Sequence, residues 1–112
     1  MDVTSDTFRR EVLERSHELP IVVDFWASWC APCRMLGPAI EAAVGERSDR
    51  VELAKVDVDV ESAVAGAYGI QSIPTVIVFR NGEPVTGFVG ARPAAAIGAF
   101  LDDVLAQEGA AA

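Results

Sequence analysis

The chain has 112 residues, 51% of them hydrophobic, so it holds one compact domain with apolar side chains enough for a single core. Its 17 acidic residues against 9 basic ones leave a net charge of -8, which argues against nucleic acid, whose binding rests on neutralising phosphates with Lys and Arg, and against a polybasic membrane contact. Apolar runs fall far short of the roughly 20 residues of a membrane span, and the acidic start, Met1 to Asp6, lacks the basic-then-apolar pattern of a secretory signal; the expected location is the cytoplasm.

No repeat, linker or low-complexity segment divides the sequence, which predicts one domain over 1–108 and a frayed tail over 109–112. Residues 1–4 leave room for a short first strand at most. Thr4, Ser5 and Asp6 are helix-capping types, and Phe8, Val12 and Leu13 form an amphipathic stripe, so a helix is predicted over about 6–16. Ile21-Val22-Val23-Asp24-Phe25-Trp26 reads as a buried strand. Met35, Leu36, Ile40, Ala43 and Val44 then recur at helical spacing in a long helix over about 31–47. Pro38, inside it, removes a backbone hydrogen bond and should kink it.

A strand over about 51–57 and a short helix over about 60–67 lead to Tyr68-Gly69-Ile70. Val76-Ile77-Val78-Phe79 is a further buried strand, joined through Asn81-Gly82 to a partner over about 84–89, with Arg80 and Glu83 flanking the turn. The closing helix, over about 93–106, turns Ile97, Phe100, Leu101, Val104 and Leu105 inward. Strands alternating with helices and ending in a hairpin predict an α/β fold: a mixed sheet of four to five strands, flanked by four helices on its two faces.

The chemistry sits at the first strand–helix junction. Cys30 and Cys33 are the only cysteines, and two thiols at that spacing can close a small ring and reopen it. So small a loop restricts the unfolded chain far less than a long-range bridge would, and two cysteines do not make a disulfide scaffold. A Cys-x-x-Cys beside a strand–helix pattern is instead a redox signature. The helix that starts there exposes backbone N–H groups and partial positive charge, which should bring the Cys30 thiol below the free value of about 8.5. Cys30 is thus the expected nucleophile. Cys33, about one turn inward and more buried, is the expected resolving thiol. Pro32 is tolerated in a first helical turn. The competing reading, a metal half-site, is short of ligands: zinc takes about four, and the other soft donor, His17, lies in a polar stretch and reads as solvated.

Asp24 stands in a strand whose two faces are both apolar, so it lands among Val22 and Trp26. A buried carboxylate holds its proton tightly and is suited to exchange one with a thiol near neutral pH, which makes Asp24 the expected proton shuttle for Cys33. Lys55, the one lysine beside eight arginines, follows Val51 and Leu53 on one strand face; pairing with Asp24 from a neighbouring strand and snorkelling to the surface fit the pattern equally. Pro74 is permitted at a strand start, in either isomer. Asp57, Asp59 and Glu61 alternate with valines and read as a solvated edge, since the spacing is not that of a calcium loop.

Over nearly its whole length the chain resembles the thioredoxin family. Val23 to Met35 looks like that family's active-site strand and helix start, Pro38 falls at its helix kink, and Ala54-Lys55-Val56-Asp57 looks like its central strand. Tyr68-Gly69-Ile70 with Ile73-Pro74-Thr75 resembles its cis-proline loop, and Asn81-Gly82 with Val89-Gly90-Ala91 its hairpin and closing glycine. The resemblance implies that Cys30 attacks, Cys33 resolves, and Asp24 is a buried base with Lys55 beside it. It implies that Pro74 is cis. It also implies that Trp29, Ala31 and Pro32, with Ile73, Pro74, Gly90 and Ala91, line a shallow apolar groove for a partner's disulfide.

Further implications are a monomer with no bound cofactor beyond the Cys30–Cys33 disulfide, protein disulfides as substrates, and a thioredoxin reductase, a flavoprotein drawing on NADPH, as the partner that recharges the pair. Two departures stand out. Ala31 replaces the family's commoner glycine, and about two extra residues surround Glu18–Pro20 behind a thin N-terminal strand. The retained Pro32 argues for a reducing couple; an oxidant or isomerase usually carries histidine there. A binding module that docks partners through the same groove without turnover is the rival from another class.

Overall fold

A computed structural model describes residues 1–111 of the chain, side chains through residue 108. Four strands, β1 (Ile21–Trp26), β2 (Glu52–Asp57), β3 (Thr75–Arg80) and β4 (Glu83–Val89), form one sheet in the order β2-β1-β3-β4. β1 runs parallel to β2 and antiparallel to β3, and β3 pairs antiparallel with β4. β1 is therefore central, which explains why five of its six residues are buried although it carries an aspartate.

Helices α1 (Ala31–Gly45), α2 (Ser62–Ala67) and α3 (Ala94–Ala111) join an N-terminal helical segment to cover the sheet. One core layer packs Leu36, Ile40 and Val44 of α1 and Ile97 and Leu101 of α3 against Val22, Val76 and Val78. The other packs Phe8 and Val12 of the N-terminal segment and Val64 of α2 against Val23, Phe25, Val56 and Phe79. Alternation along β1 puts Asp24 on the face of Val22, which is the face α1 covers. Phe8, Tyr68 and Phe79 form an aromatic trio with centroids 5.1–5.6 Å apart.

The N-terminal strand is as short as residues 1–4 allowed, and later local details differ from the pattern of the sequence. That strand is a single parallel bridge, Asp2 to Lys55, held by Val3 N–H to Lys55 O at 2.9 Å and Lys55 N–H to Met1 O at 2.7 Å. The first helix is not a regular α-helix. It is wide-turned over Arg9–Glu14, and tightens to a 3-10 turn over Arg15–His17. Tertiary contact sets that end: buried Ser16 donates from its hydroxyl to Leu13 O at 2.6 Å and accepts the Gly82 N–H at 2.8 Å, and Ser16 O accepts from Asn81 N–H at 2.9 Å.

Met35 is 74% exposed, because the buried stripe of α1 runs through Cys33, Leu36, Gly37, Ile40, Ala43 and Val44. The last helix outruns its pattern, reaching Ala111, and Arg80 bonds Glu108 near its end at 2.8 Å rather than Glu83 across the turn. The tail expected over 109–112 falls where side chains, and for residue 112 the backbone too, lie outside the described residues. The hairpin turn has Asn81 at φ 56° and Gly82 at φ 82°, the left-handed pair that a two-residue turn between twisted strands needs.

Candidate active site

β1 ends at Trp26, and a short loop brings the chain to Cys30, which caps α1 in an extended conformation at φ -88° and ψ 107°. This places the Cys30 sulfur over the first turn of the helix, where it accepts the Cys33 backbone N–H at 3.2 Å. The two sulfurs are joined in a disulfide. Pro32 sits in that first turn, where its missing N–H costs nothing. Burial does not rank the two cysteines as expected: Cys30 is 3% exposed and Cys33 5%. Both pack in one apolar cluster with Ala27, Val58 and Ile73. What separates them is what each faces.

Cys33 opens onto a cleft of about 390 Å³ that Asp24, Trp26, Gly37, Glu41 and Lys55 also line, while Cys30 does not touch it. Asp24 is 1% exposed, and neither of its oxygens has a hydrogen-bond partner among the described residues. Burial pushes its pKa from 3.8 up to about 6, against the pull of the Lys55 charge and helped by that of Glu41. The burial expected of Asp24 from the two apolar faces of its strand is therefore what the fold has.

Asp24 and Lys55 are register partners across β1 and β2, but Lys55 pairs elsewhere. Its ammonium bonds Glu41 Oε1 at 3.2 Å and stands 5.4 Å from the centroid of the Trp26 ring. Glu41 is the functional candidate that reading the sequence missed. Its signal was the spacing: residues 33, 37 and 41 follow at four-residue steps on one helix face.

The second half of the site comes from the same end of the sheet, where antiparallel β3 begins beside the end of β1 and β4 finishes. Ile73–Pro74 is a cis peptide bond, and Pro74 O accepts the Gly90 N–H at 2.8 Å. Gly90 holds φ at 92°, a conformation costly for residues with a Cβ. Ile73 packs on the cysteine cluster. Ala31, Pro32 and Ala91 are exposed. Trp29 is 67% exposed, and its indole N–H is held by Asp59 at 2.7 Å. The acidic stretch is thus more than a solvated edge: Asp57 also accepts from the Asp59 N–H at 3.0 Å, and Glu61 from the Ser5 N–H at 2.8 Å.

A larger cavity of about 580 Å³ lies away from the dithiol, between Val78, Val85, Phe100 and Val104, and holds neither cysteine. His17 is exposed, its ring 3.5 Å from the Cβ position of Gly82 in the hairpin turn. No described helix is long and apolar enough to cross a membrane. The arrangement brings together a disulfide at a helix N-terminus, a buried carboxylate on the cleft that the second cysteine lines, and an exposed indole.

Comparison with known proteins gives a match to the family model described as Thioredoxin over residues 1–103. The chain is 46% identical over 100 residues to Thioredoxin 1 of Synechococcus elongatus, covering 89% of this chain and 92% of that protein. It is 45% identical over 105 residues to a Thioredoxin of Mycolicibacterium smegmatis, covering 92% of each. It is also 41% identical over 105 residues to the Bifunctional thioredoxin reductase/thioredoxin of Mycobacterium leprae, covering 94% of this chain and 22% of that protein.

Proposed function

Because the chain belongs to the thioredoxin family and is a dithiol–disulfide oxidoreductase, we propose the following assignment of roles to its side chains. The reduced Cys30 thiolate attacks one sulfur of a protein disulfide and expels the other as a thiolate, which takes up a proton. Cys33 gives its proton to the Asp24 carboxylate, and its thiolate attacks the Cys30 sulfur in the mixed disulfide. The second substrate sulfur leaves and is protonated. Two electrons have passed, the substrate is a dithiol, and Cys30–Cys33 is a disulfide. Lys55 supplies positive charge near Asp24 when that carboxylate is ionised.

The observation that carries this reading is the shared cleft of Cys33 and Asp24. It gives the second thiol, and not the first, a buried proton acceptor. Trp29, Ala31 and Pro32 on one side, with Ile73, Pro74, Gly90 and Ala91 on the other, form the docking groove for protein disulfides in this proposal. A small apolar surface with few charges suits many partners. A thioredoxin reductase recharges the pair, a role supported by the relative whose name joins both activities. Action as a monomer in the cytoplasm, as one domain over 1–108 with no further cofactor, completes the proposal.

The test is the reduction potential of the Cys30/Cys33 couple, equilibrated against defined dithiothreitol ratios. Trp26 lines the cleft beside Cys33 and supplies the fluorescence signal. A value near -270 mV, the one known for thioredoxin itself, supports a reductase; one between about -180 and -120 mV moves the protein to the isomerase or oxidant class. If no two-electron transition appears, the assignment of roles falls.

A further inference from the structure

Lys55 stands between two carboxylates. Its register partner on β1 is Asp24, yet its ammonium is 3.2 Å from Glu41 on α1 and Asp24 is left without a hydrogen bond among the described residues. We propose that Glu41 is a positioning residue, which holds the Lys55 ammonium on the helix side of the cleft and so keeps the Asp24 carboxylate unpaired and basic enough to take a thiol proton. The inference rests on the reading of Asp24 as the proton shuttle for Cys33.

The local geometry is built for such a hold. Cys33, Gly37 and Glu41 succeed one another along one face of α1, and the middle position has no side chain. A Cβ on Gly37 would stand 3.7 Å from the Lys55 nitrogen, so the ammonium lies over the glycine on its way to Glu41. Glu41 itself is half exposed, with 52% of its side chain accessible. It therefore adds little packing, and charge is what its removal would change. The charged and titratable groups around Asp24 are Lys55 from β2 and Cys33, Arg34 and Glu41 from α1; β3 presents Val76 opposite it. Of these cations Lys55 has the largely covered side chain, 23% exposed, with Asp24 across the strand pair and Glu41 on the helix. Arg34 is turned to Ser28 O at 2.9 Å.

A desolvated carboxylate without a partner binds its proton tightly, whereas one bonded to an ammonium binds it at least about tenfold more weakly. Removing the Glu41 charge frees Lys55 to move to Asp24. The effect must therefore run through Lys55, and that separates positioning from the direct repulsion of one carboxylate by another.

The experiment titrates the Asp24 carboxyl carbon by NMR in the oxidised protein, which needs no turnover, for the wild type, Glu41→Gln, Lys55→Met and the double variant. Alongside it, the reduced proteins are mixed with an aromatic disulfide. The second thiolate released, which depends on Cys33, is followed against pH. Glu41→Gln is expected to weaken proton binding at Asp24 by about tenfold, to move the second-release profile to lower pH with it, and to do clearly less in the Lys55→Met background. An unmoved or raised Asp24 midpoint overturns the inference, as does an equal shift in both backgrounds. If the midpoint falls while the second-release profile stays, the hold of Glu41 on Lys55 stands and the shuttle role of Asp24 is what fails. If the midpoint stays while Asp24→Asn abolishes second release at neutral pH, the shuttle stands and the Glu41 inference fails.

Discussion

The backbone N–H of Cys33 donates to the sulfur of Cys30 across 3.2 Å. When the disulfide opens, that donor and the other free N–H groups at the start of α1 face a thiolate. The reduced Cys30 thiol is expected to ionise below about 8.5, measured by the pH dependence of its alkylation. Cys30→Ser is expected to abolish reduction of an aromatic disulfide. Cys33→Ser should keep the first thiolate release and stop at the mixed disulfide. A Cys30 midpoint at or above that of a free thiol counts against the helix-terminus argument.

Asp24 links the site to stability. Its carboxyl titrates near 6 in the fold against 3.8 when unperturbed, chiefly because it is buried. Between those values the unfolded chain loses a proton that the folded chain keeps, so the contribution of Asp24 to stability falls as pH rises through that window. Above it, the ionised group is a net cost. Asp24→Asn is therefore expected to stabilise the oxidised protein at pH 7 by about 1–3 kcal/mol, a gain that vanishes toward pH 4. Urea denaturation at the two pH values checks it, and a loss of stability at pH 7 would show that the carboxylate is better satisfied than its burial indicates.

The Trp29–Asp59 bond spans an exposed loop and orders a large side chain at the proposed docking surface. Asp59→Ala frees the indole without opening the core. Ordering one side chain on binding costs about 0.5–1 kcal/mol, so KM for a protein disulfide should rise about two- to fivefold while kcat stays. Thermal melts report whether stability is also disturbed, and the expected change is below about 1 kcal/mol.

Two glycines make a contrasting pair. A Cβ on Gly87 in β4 would meet Val76 O at 2.3 Å, with backbone on the other side of the clash. Gly87→Ala should cost at least about 2 kcal/mol. Gly66 lies in α2 with nothing within 4 Å of its Cβ position, and Gly66→Ala should stabilise by about 0.5–1 kcal/mol. Equilibrium unfolding of both variants checks the pair, and similar effects would refute the packing argument.

Local patterns carried most of the fold. The apolar run of β1, the stripe of α1 and the Asn81-Gly82 turn are legible because each depends on neighbours within a few residues. The redox pair was legible for the same reason, since both thiols and the helix start lie within one short stretch. The irregular N-terminal helix was not: its last turn is shaped by Ser16 meeting Gly82, 66 residues away. Nor did the residues around Pro74 decide its isomer. Only the family resemblance implied the cis form that the structure has.

The partners of the charged side chains were the least legible part. Lys55 suggested Asp24 or solvent and met Glu41, 14 residues back. Asp59 suggested a solvated edge and holds Trp29 from 30 residues away. By itself the sequence determined an α/β domain with a dithiol at a helix start and a carboxylate in a buried strand, because hydrophobic period and thiol spacing are properties of adjacent residues. Only the tertiary structure decided that this carboxylate has no hydrogen-bond partner among the described residues while its cross-strand neighbour Lys55 bonds Glu41. Which charges meet depends on how a strand and a helix are laid side by side, and no local pattern encodes that.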